Sequence, residues 1–215
     1  MTNSLKQRIL TSIILFLILF LMITSNFILV YFLIIFSVYA FIEFTNIISK
    51  INIKNKINIF ILNFGFLIYL FCFSALLLIN FFHPESKILT LIIILICIFS
   101  DIGGLIFGKL FKGPKLIKIS PNKTLSGCIG SFIFSTVLSI FLLQGIYGLF
   151  SYYFILFGIA ISFSTQLGDL FFSFLKRKAK LKDTGNILPG HGGVLDRIDG
   201  ILLGLPTGIL TFILL

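Results

Sequence analysis

The chain has 215 residues, 58% of them hydrophobic and 11% charged, where a soluble domain carries about 25% charged residues. That excludes a soluble enzyme and leaves no polar stretch large enough for a water-facing domain. The 17 Lys and Arg outweigh the 7 Asp and Glu for a net charge of +10, but the cations lie in short segments between apolar runs, which excludes a nucleic-acid surface and fits the positive-inside bias of a membrane protein.

Apolar runs long enough to span a bilayer predict helices over 9–25, 27–48, 57–81, 88–111, 127–149, 152–175 and 199–215. The first follows Lys6 and Arg8 as a signal peptide would. Its apolar run is too long, and no small-residue cleavage site follows, so it is read as a span. The expected fold class is an all-α polytopic integral membrane protein of about seven transmembrane helices. With the N-terminus in the cytosol, every Lys and Arg except Lys87 falls in a cytosolic segment. Cys72, Cys97 and Cys128 sit within apolar runs without metal-ligand or disulfide spacing, and read as small apolar residues. One domain, 1–215, is expected: 1–87 as scaffold helices, 88–215 as catalytic helices with cytosolic loops 109–127 and 176–198.

Those two loops differ from the other connections. The first reads KLFKGPKLIKISPNKTLSG. The second belongs to the cassette SFLKRKAKLKDTGNILPGHGGVLDRIDG, Ser173 to Gly200. Both are rich in Gly, Pro and cations. Glu43 and Glu85 are scattered, but Asp101, Asp169, Asp183, Asp196 and Asp199 all lie in or beside these loops. A carboxylate at membrane depth is costly unless paired or solvated, so Asp101 and Asp169 are functional candidates. The plainer reading is a helix-packing hydrogen bond to Ser or Thr.

Asp196 and Asp199 are spaced i, i+3. A helix beginning near Val194 would set both on one face. Two close carboxylates with no nearby Cys cluster suit a hard, oxygen-liganded cation such as Mg2+. Equally open is that one Asp caps the helix while the other pairs with Arg197. Lys176, Arg177, Lys182 and Lys123 argue for a phosphate-rich ligand, and helix N-termini and Gly-rich turns offer N–H groups to phosphate oxygens. Lys178 and Lys180 read as solvated anchors at the bilayer surface. His191 lies in a shaped turn, PGHGG. There is no P-loop, no GxGxxG and no nucleophile elbow. The residues alone reach no further than a membrane-embedded, Mg2+-dependent site for phosphates, open to the cytosol, with the capping alternative for the Asp pair still standing.

The cassette resembles the signature of the phosphatidate cytidylyltransferases. The pattern Ser-x-apolar-Lys-Arg, then Lys-Asp-x-small, then apolar-Pro-x-His-Gly-Gly, then Asp-Arg-apolar-Asp is met by Ser173, Lys176, Arg177, Lys182, Asp183, Gly185, Leu188, Pro189, His191, Gly192, Gly193, Asp196, Arg197 and Asp199. SDIGGLIFGKLFKGPKL, ISPNKT and STQLGDL resemble further family regions, and YAFIEF resembles a segment with a Glu common in the family's second helix. Leu125 and Ser126 depart from the family's aromatic followed by Glu or Gln, and Ile102 stands where Thr is frequent.

The resemblance implies transfer of a cytidylyl group from CTP to phosphatidate, giving CDP-diacylglycerol and diphosphate, in a bacterial cytoplasmic membrane with the active site facing the cytosol. It implies Asp169, Asp196, Asp199, Lys176 and Arg177 as catalytic. Mg2+, with room for a second cation, would sit on Asp169, Asp196 and Asp199, and more weakly on Asp101. Substrate contacts would come from Ser120, Lys123, Thr124, Lys182, Asp183, His191, Gly192, Gly193 and Arg197. Rivals are a CTP-dependent polyprenol or lipid kinase, a CDP-alcohol phosphotransferase and a transporter with intramembrane carboxylates. DRIDG opens the phosphotransferase motif, but Leu203-Gly204 follows where that motif needs Ala-Arg. No two-half repeat supports a transporter. The small-residue pairs Gly104/Gly108 and Gly204/Gly208 suit helix packing within a subunit or in a homodimer.

Overall fold

Among the described residues of the computed structural model, the apolar runs become six long helices, with one β-hairpin between the third and fourth. The structure describes residues 17, 20–21, 23–53, 55–117, 120–185, 187 and 192–214, with backbone alone at 117 and 120–122. The helices are α1 (Asn26–Lys50), α2 (Lys56–Phe82), α3 (Pro84–Phe111), α4 (Leu125–Tyr147), α5 (Tyr152–Lys178) and α6 (Leu195–Leu214). The strands are β1 (Lys115–Ile117) and β2 (Ser120–Thr124). All six helices, 20 to 28 residues long, are long and apolar enough to cross a membrane, since about 20 residues of helix cover about 30 Å. The expected span 9–25 lies mostly outside the described residues.

The surface is inverted relative to a soluble protein. Phe27, Phe71, Phe141, Leu110 and Tyr152 are exposed, while Ser100, Ser131, Ser135, Ser139, Ser162 and Thr165 are buried. Lipid tails solvate apolar side chains as well as a protein core does. Helix association therefore relies on close packing of small residues and on interhelical hydrogen bonds. This is the architecture of a multi-pass membrane protein.

By its internal contacts the chain forms two compact units. The first is Met1–Phe82 with Leu175–Ile198; the second is His83–Phe174 with Asp199–Leu215. In the first, α1 packs on α2 by stacking Phe44 on Phe66, ring centroids 3.9 Å apart, and by a 3.0 Å hydrogen bond between Ser37 and Ser74. The end of α5 is closed by a Schellman turn. The Leu181 amide donates to the Lys176 carbonyl at 2.8 Å and the Lys180 amide to the Arg177 carbonyl at 3.0 Å. Lys180 takes the left-handed position, φ 56°, that Gly usually fills.

In the second unit, α3 and α4 meet through glycines. A Cβ at Gly103 would come 2.6 Å from the Gly130 carbonyl, and one at Gly127 2.8 Å from that of Gly104. Ser100 bonds Ser162 across α3 and α5 at 2.8 Å, and the Ser139 hydroxyl of α4 donates to the Phe154 carbonyl of α5 at 2.7 Å. α6 packs on α5 where Gly168 faces the Asp199 carbonyl and where Gly200 and Gly204 face Thr165. Gly104, Gly108, Gly204 and Gly208 are thus spent on helix packing within the chain: they face Ser131, Thr124, Thr165 and Ile93 respectively.

The expected loop 109–127 contains order that the apolar pattern does not announce. β1 and β2 pair antiparallel, Lys115 opposite Thr124 and Ile117 opposite Ser120, with a shift in register between. The hairpin is tied to α4 at its base. Thr124 is the N-cap, accepting from the Gly127 amide at 3.1 Å. Ser126 Oγ lies 3.0 Å from Thr124 Oγ1 and accepts from the Gly113 amide at 3.2 Å.

Candidate functional site

Among the described residues each unit carries a carboxylate–cation cluster, built on residues in or near the cassette. In the first unit the centre is Asp196, in the first turn of α6. Its Oδ1 accepts from the Lys176 ammonium at 2.6 Å. Its Oδ2 accepts from the Thr184 amide at 2.8 Å, the Thr184 hydroxyl at 3.0 Å and the Gly193 amide at 3.1 Å. The reach back to Gly193 is a capping-box contact from a residue three further on. The capping alternative for this Asp is therefore realised, together with an ion pair to Lys176. The Schellman turn fixes where Lys176 starts, and α6 fixes where Asp196 starts.

A second carboxylate completes this cluster, and the sequence reading did not select it. Glu43 lies two turns before the C-terminal end of α1 and is 2% exposed. Its Oε1 accepts from the Val194 amide at 2.9 Å. Its Oε2 accepts from the Leu195 amide at 2.8 Å and the Thr184 hydroxyl at 2.7 Å. The N–H groups that open α6 thus point at an anion supplied by the protein itself, where a phosphate was the expected partner. Two motif glycines make room for it. A Cβ at Gly193 would come 2.5 Å from both Glu43 oxygens and still closer to the Thr184 hydroxyl, and one at Gly185 2.7 Å from Oε1. Gly192 holds φ +83°, and a Cβ there would come 2.9 Å from Asp196 Oδ2. The signal that was available was a Glu inside a bilayer-length apolar run, the same signal that singled out Asp101 and Asp169.

Around this core, Arg177 is exposed and donates from Nη1 to the Leu181 carbonyl at 3.2 Å. Lys182, Asp183 and Arg197 are also exposed. His191, with residues 188–190, lies outside the described residues.

In the second unit, Lys123 at the end of β2 forms an ion pair with Asp169 of α5, both partly exposed. Asp169 also accepts from the Ser173 hydroxyl one turn on, at 3.3 Å. Asp101 of α3 is within electrostatic reach of both Asp169 and Lys123. Asp199 is 8% exposed, and its Oδ1 accepts from the Gly200 amide at 2.9 Å. Gly168, which precedes Asp169, faces the Asp199 carbonyl, so the close crossing of α5 and α6 brings these two Asp-bearing turns together. Thr124 is the α4 cap, and Ser120 is seen as strand backbone alone.

Among the described residues no three His, Cys, Asp or Glu side chains come together as a metal-binding group. The donor chemistry nevertheless suits a hard cation. The carboxylates supply oxygen alone, and Asp169 and Asp196 each already hold a positive charge, the ammonium of Lys123 and of Lys176.

Similar proteins are named phosphatidate cytidylyltransferase. That of Helicobacter pylori (strain ATCC 700392 / 26695) is 39% identical over 112 residues, 52% of this chain and 42% of that protein. That of Rickettsia bellii (strain RML369-C) is 44% identical over 121 residues, 53% of this chain and 52% of that protein. That of Staphylococcus haemolyticus (strain JCSC1435) is 45% identical over 109 residues, 50% of this chain and 42% of that protein. The chain spans about half the length of the curated relatives it matches. Residues 54–215 match the cytidylyltransferase family, and with three quarters of its length inside that match, carrying both polar clusters except Glu43, the chain belongs to this family.

Proposed function

We propose that the chain is a phosphatidate cytidylyltransferase that makes CDP-diacylglycerol and diphosphate from CTP and phosphatidate, serving phospholipid synthesis in a bacterial cytoplasmic membrane. The active side would face the cytosol. The observation that carries the reading is the pairing of cassette and hairpin cations with carboxylates, Lys176 with Asp196 and Lys123 with Asp169, in a chain of this family. A reaction between two phosphate-bearing substrates needs such charge neutralisation above all.

A phosphatidate oxygen would attack the α-phosphorus of CTP. A new P–O–P bridge forms, the bond from that phosphorus to the β-bridging oxygen breaks, and diphosphate leaves with the electron pair. A phosphate monoester already carries about −1.5 to −2 charge at pH 7, so no strong general base is required. The work left to the protein is to align the two phosphates and offset their repulsion. Lys176, Arg177, Lys182 and Arg197 would contact phosphate oxygens, with Asp183, His191, Gly192 and Gly193 shaping the same turn. Ser120, Lys123 and Thr124 would form a second wall for the nucleotide. Asp169, Asp196 and Asp199, and more weakly Asp101, would hold Mg2+, alone or with a second cation. When bound, the ion supplies Lewis-acid stabilisation of the charge on the departing diphosphate. The acyl chains would remain in the bilayer.

The test is product analysis on purified protein with Mg2+, CTP and phosphatidate. Diphosphate released in step with CDP-diacylglycerol supports the reading. Release of CDP marks a lipid kinase, and no turnover with phosphatidate removes it as substrate.

A further inference from the structure

We propose that Glu43 is a positioning residue: a buried internal anion that clamps Thr184 to the start of α6 and thereby sets the Lys176–Asp196 pair. Glu43 is remote in sequence from everything it holds. Its partners Thr184, Val194 and Leu195 lie 141 to 152 residues further on. Both of its oxygens are engaged and the residue is 2% exposed, so the carboxylate has no face left for a substrate. It acts on two elements at once. Through Val194 and Leu195 it neutralises the positive end of α6. Through the Thr184 hydroxyl it touches the same group that touches Asp196, 2.7 Å on one side and 3.0 Å on the other. One hydroxyl proton is thus shared between two carboxylates. Displacing Glu43 frees Thr184, and Thr184 supplies two of the three hydrogen bonds on Asp196 Oδ2. Gly185 and Gly193 leave the volume this carboxylate occupies, so the motif itself is shaped around a residue of α1.

A space-filling role and a clamp differ in what they demand of the side chain. Gln matches Glu in size, but in either orientation its amide nitrogen must face the Val194 or the Leu195 N–H, where only an acceptor fits. The effect on turnover rests on the proposed cytidylyltransferase reaction, whereas the clamp is read independently by amide exchange. The experiment uses the full chain in lipid nanodiscs, wild type against Glu43→Gln, with Thr184→Val as a milder second variant. In Glu43→Gln, amide hydrogen exchange over 181–197 should rise about tenfold or more while α1 residues 29–40 keep wild-type exchange. Turnover with CTP and phosphatidate should fall about 10- to 100-fold, carried by kcat with little change in KM for CTP, as when a residue supporting the reacting groups is lost. Thr184→Val should reproduce both changes at smaller size, and the double variant should fall short of the sum. Wild-type exchange over 181–197 in Glu43→Gln overturns the clamp. So does a loss expressed in KM alone, which would place Glu43 against the nucleotide. If wild type shows no turnover with these substrates, the functional reading fails, and the exchange result still decides the clamp.

Discussion

The two polar clusters use their carboxylates in opposite ways. Asp196 has about four lone-pair directions to offer, as any carboxylate does. It takes four contacts, one from Lys176 on Oδ1 and three from Thr184 and Gly193 on Oδ2, and Glu43 beside it takes three. Asp169 holds Lys123 and one long bond from Ser173, and is partly exposed. The first cluster is therefore the more internally bonded, and Asp169 in the second keeps more of its oxygen valence open. The lesson is that motif residues of one family signature need not share one job. Some keep the backbone of the cassette in place, and others are left open by that arrangement.

The sharpest way to break this contrast is to neutralise one carboxylate from each cluster. Asp169→Asn should cost about 10³-fold in turnover, the scale of removing one preorganised electrostatic group. It should leave the melting temperature close to wild type, because only a partly exposed, solvent-screened pair is lost. Asp196→Asn should cost activity and stability together, about 3 kcal/mol by thermal or denaturant unfolding, since the largely buried Lys176 ammonium loses the Asp196 carboxylate. A melt of Asp196→Asn that matches wild type would remove the structural half of the comparison. Gly193→Ala comes next, with about 1–3 kcal/mol of lost stability from driving a methyl into Thr184 and Glu43. Its check is whether Glu43→Ala, which empties that space, restores part of the loss. The smallest effect expected is Thr124→Ala, about 1 kcal/mol from the missing α4 cap. If Thr124 also touches nucleotide, KM for CTP rises as well; a cap alone leaves KM unchanged.

The helices were legible because lipid imposes a length and a composition. The run 27–48 appears as Asn26–Lys50, and 152–175 as Tyr152–Lys178, extended by the charged turn that apolar counting stops at. The last helix starts at Leu195, closer to the Val194 start taken for the i, i+3 pairing of Asp196 and Asp199 than to the hydropathy run from 199. The hairpin was not legible: its strands are short and lysine-rich, and its order comes from Thr124, Ser126 and Gly113 bonding across a turn. Glu43 was hidden by distance. Its intramembrane position marked it as unusual, but periodicity carries no information about partners 141 or more residues away. The Schellman turn at Lys180 was hidden for a related reason, because the usual Gly is absent and only the hydrogen bonds reveal it.

The central claim is that these carboxylate–cation clusters serve cytidylyl transfer between CTP and phosphatidate. Simultaneous measurement of diphosphate and CDP-diacylglycerol from purified wild type and Asp169→Asn, with Mg2+ present, tests it most directly. The account predicts equal amounts of both products from wild type and a loss of both of about 10³-fold in the variant. Release of CDP in place of diphosphate, or full turnover by Asp169→Asn, would contradict it.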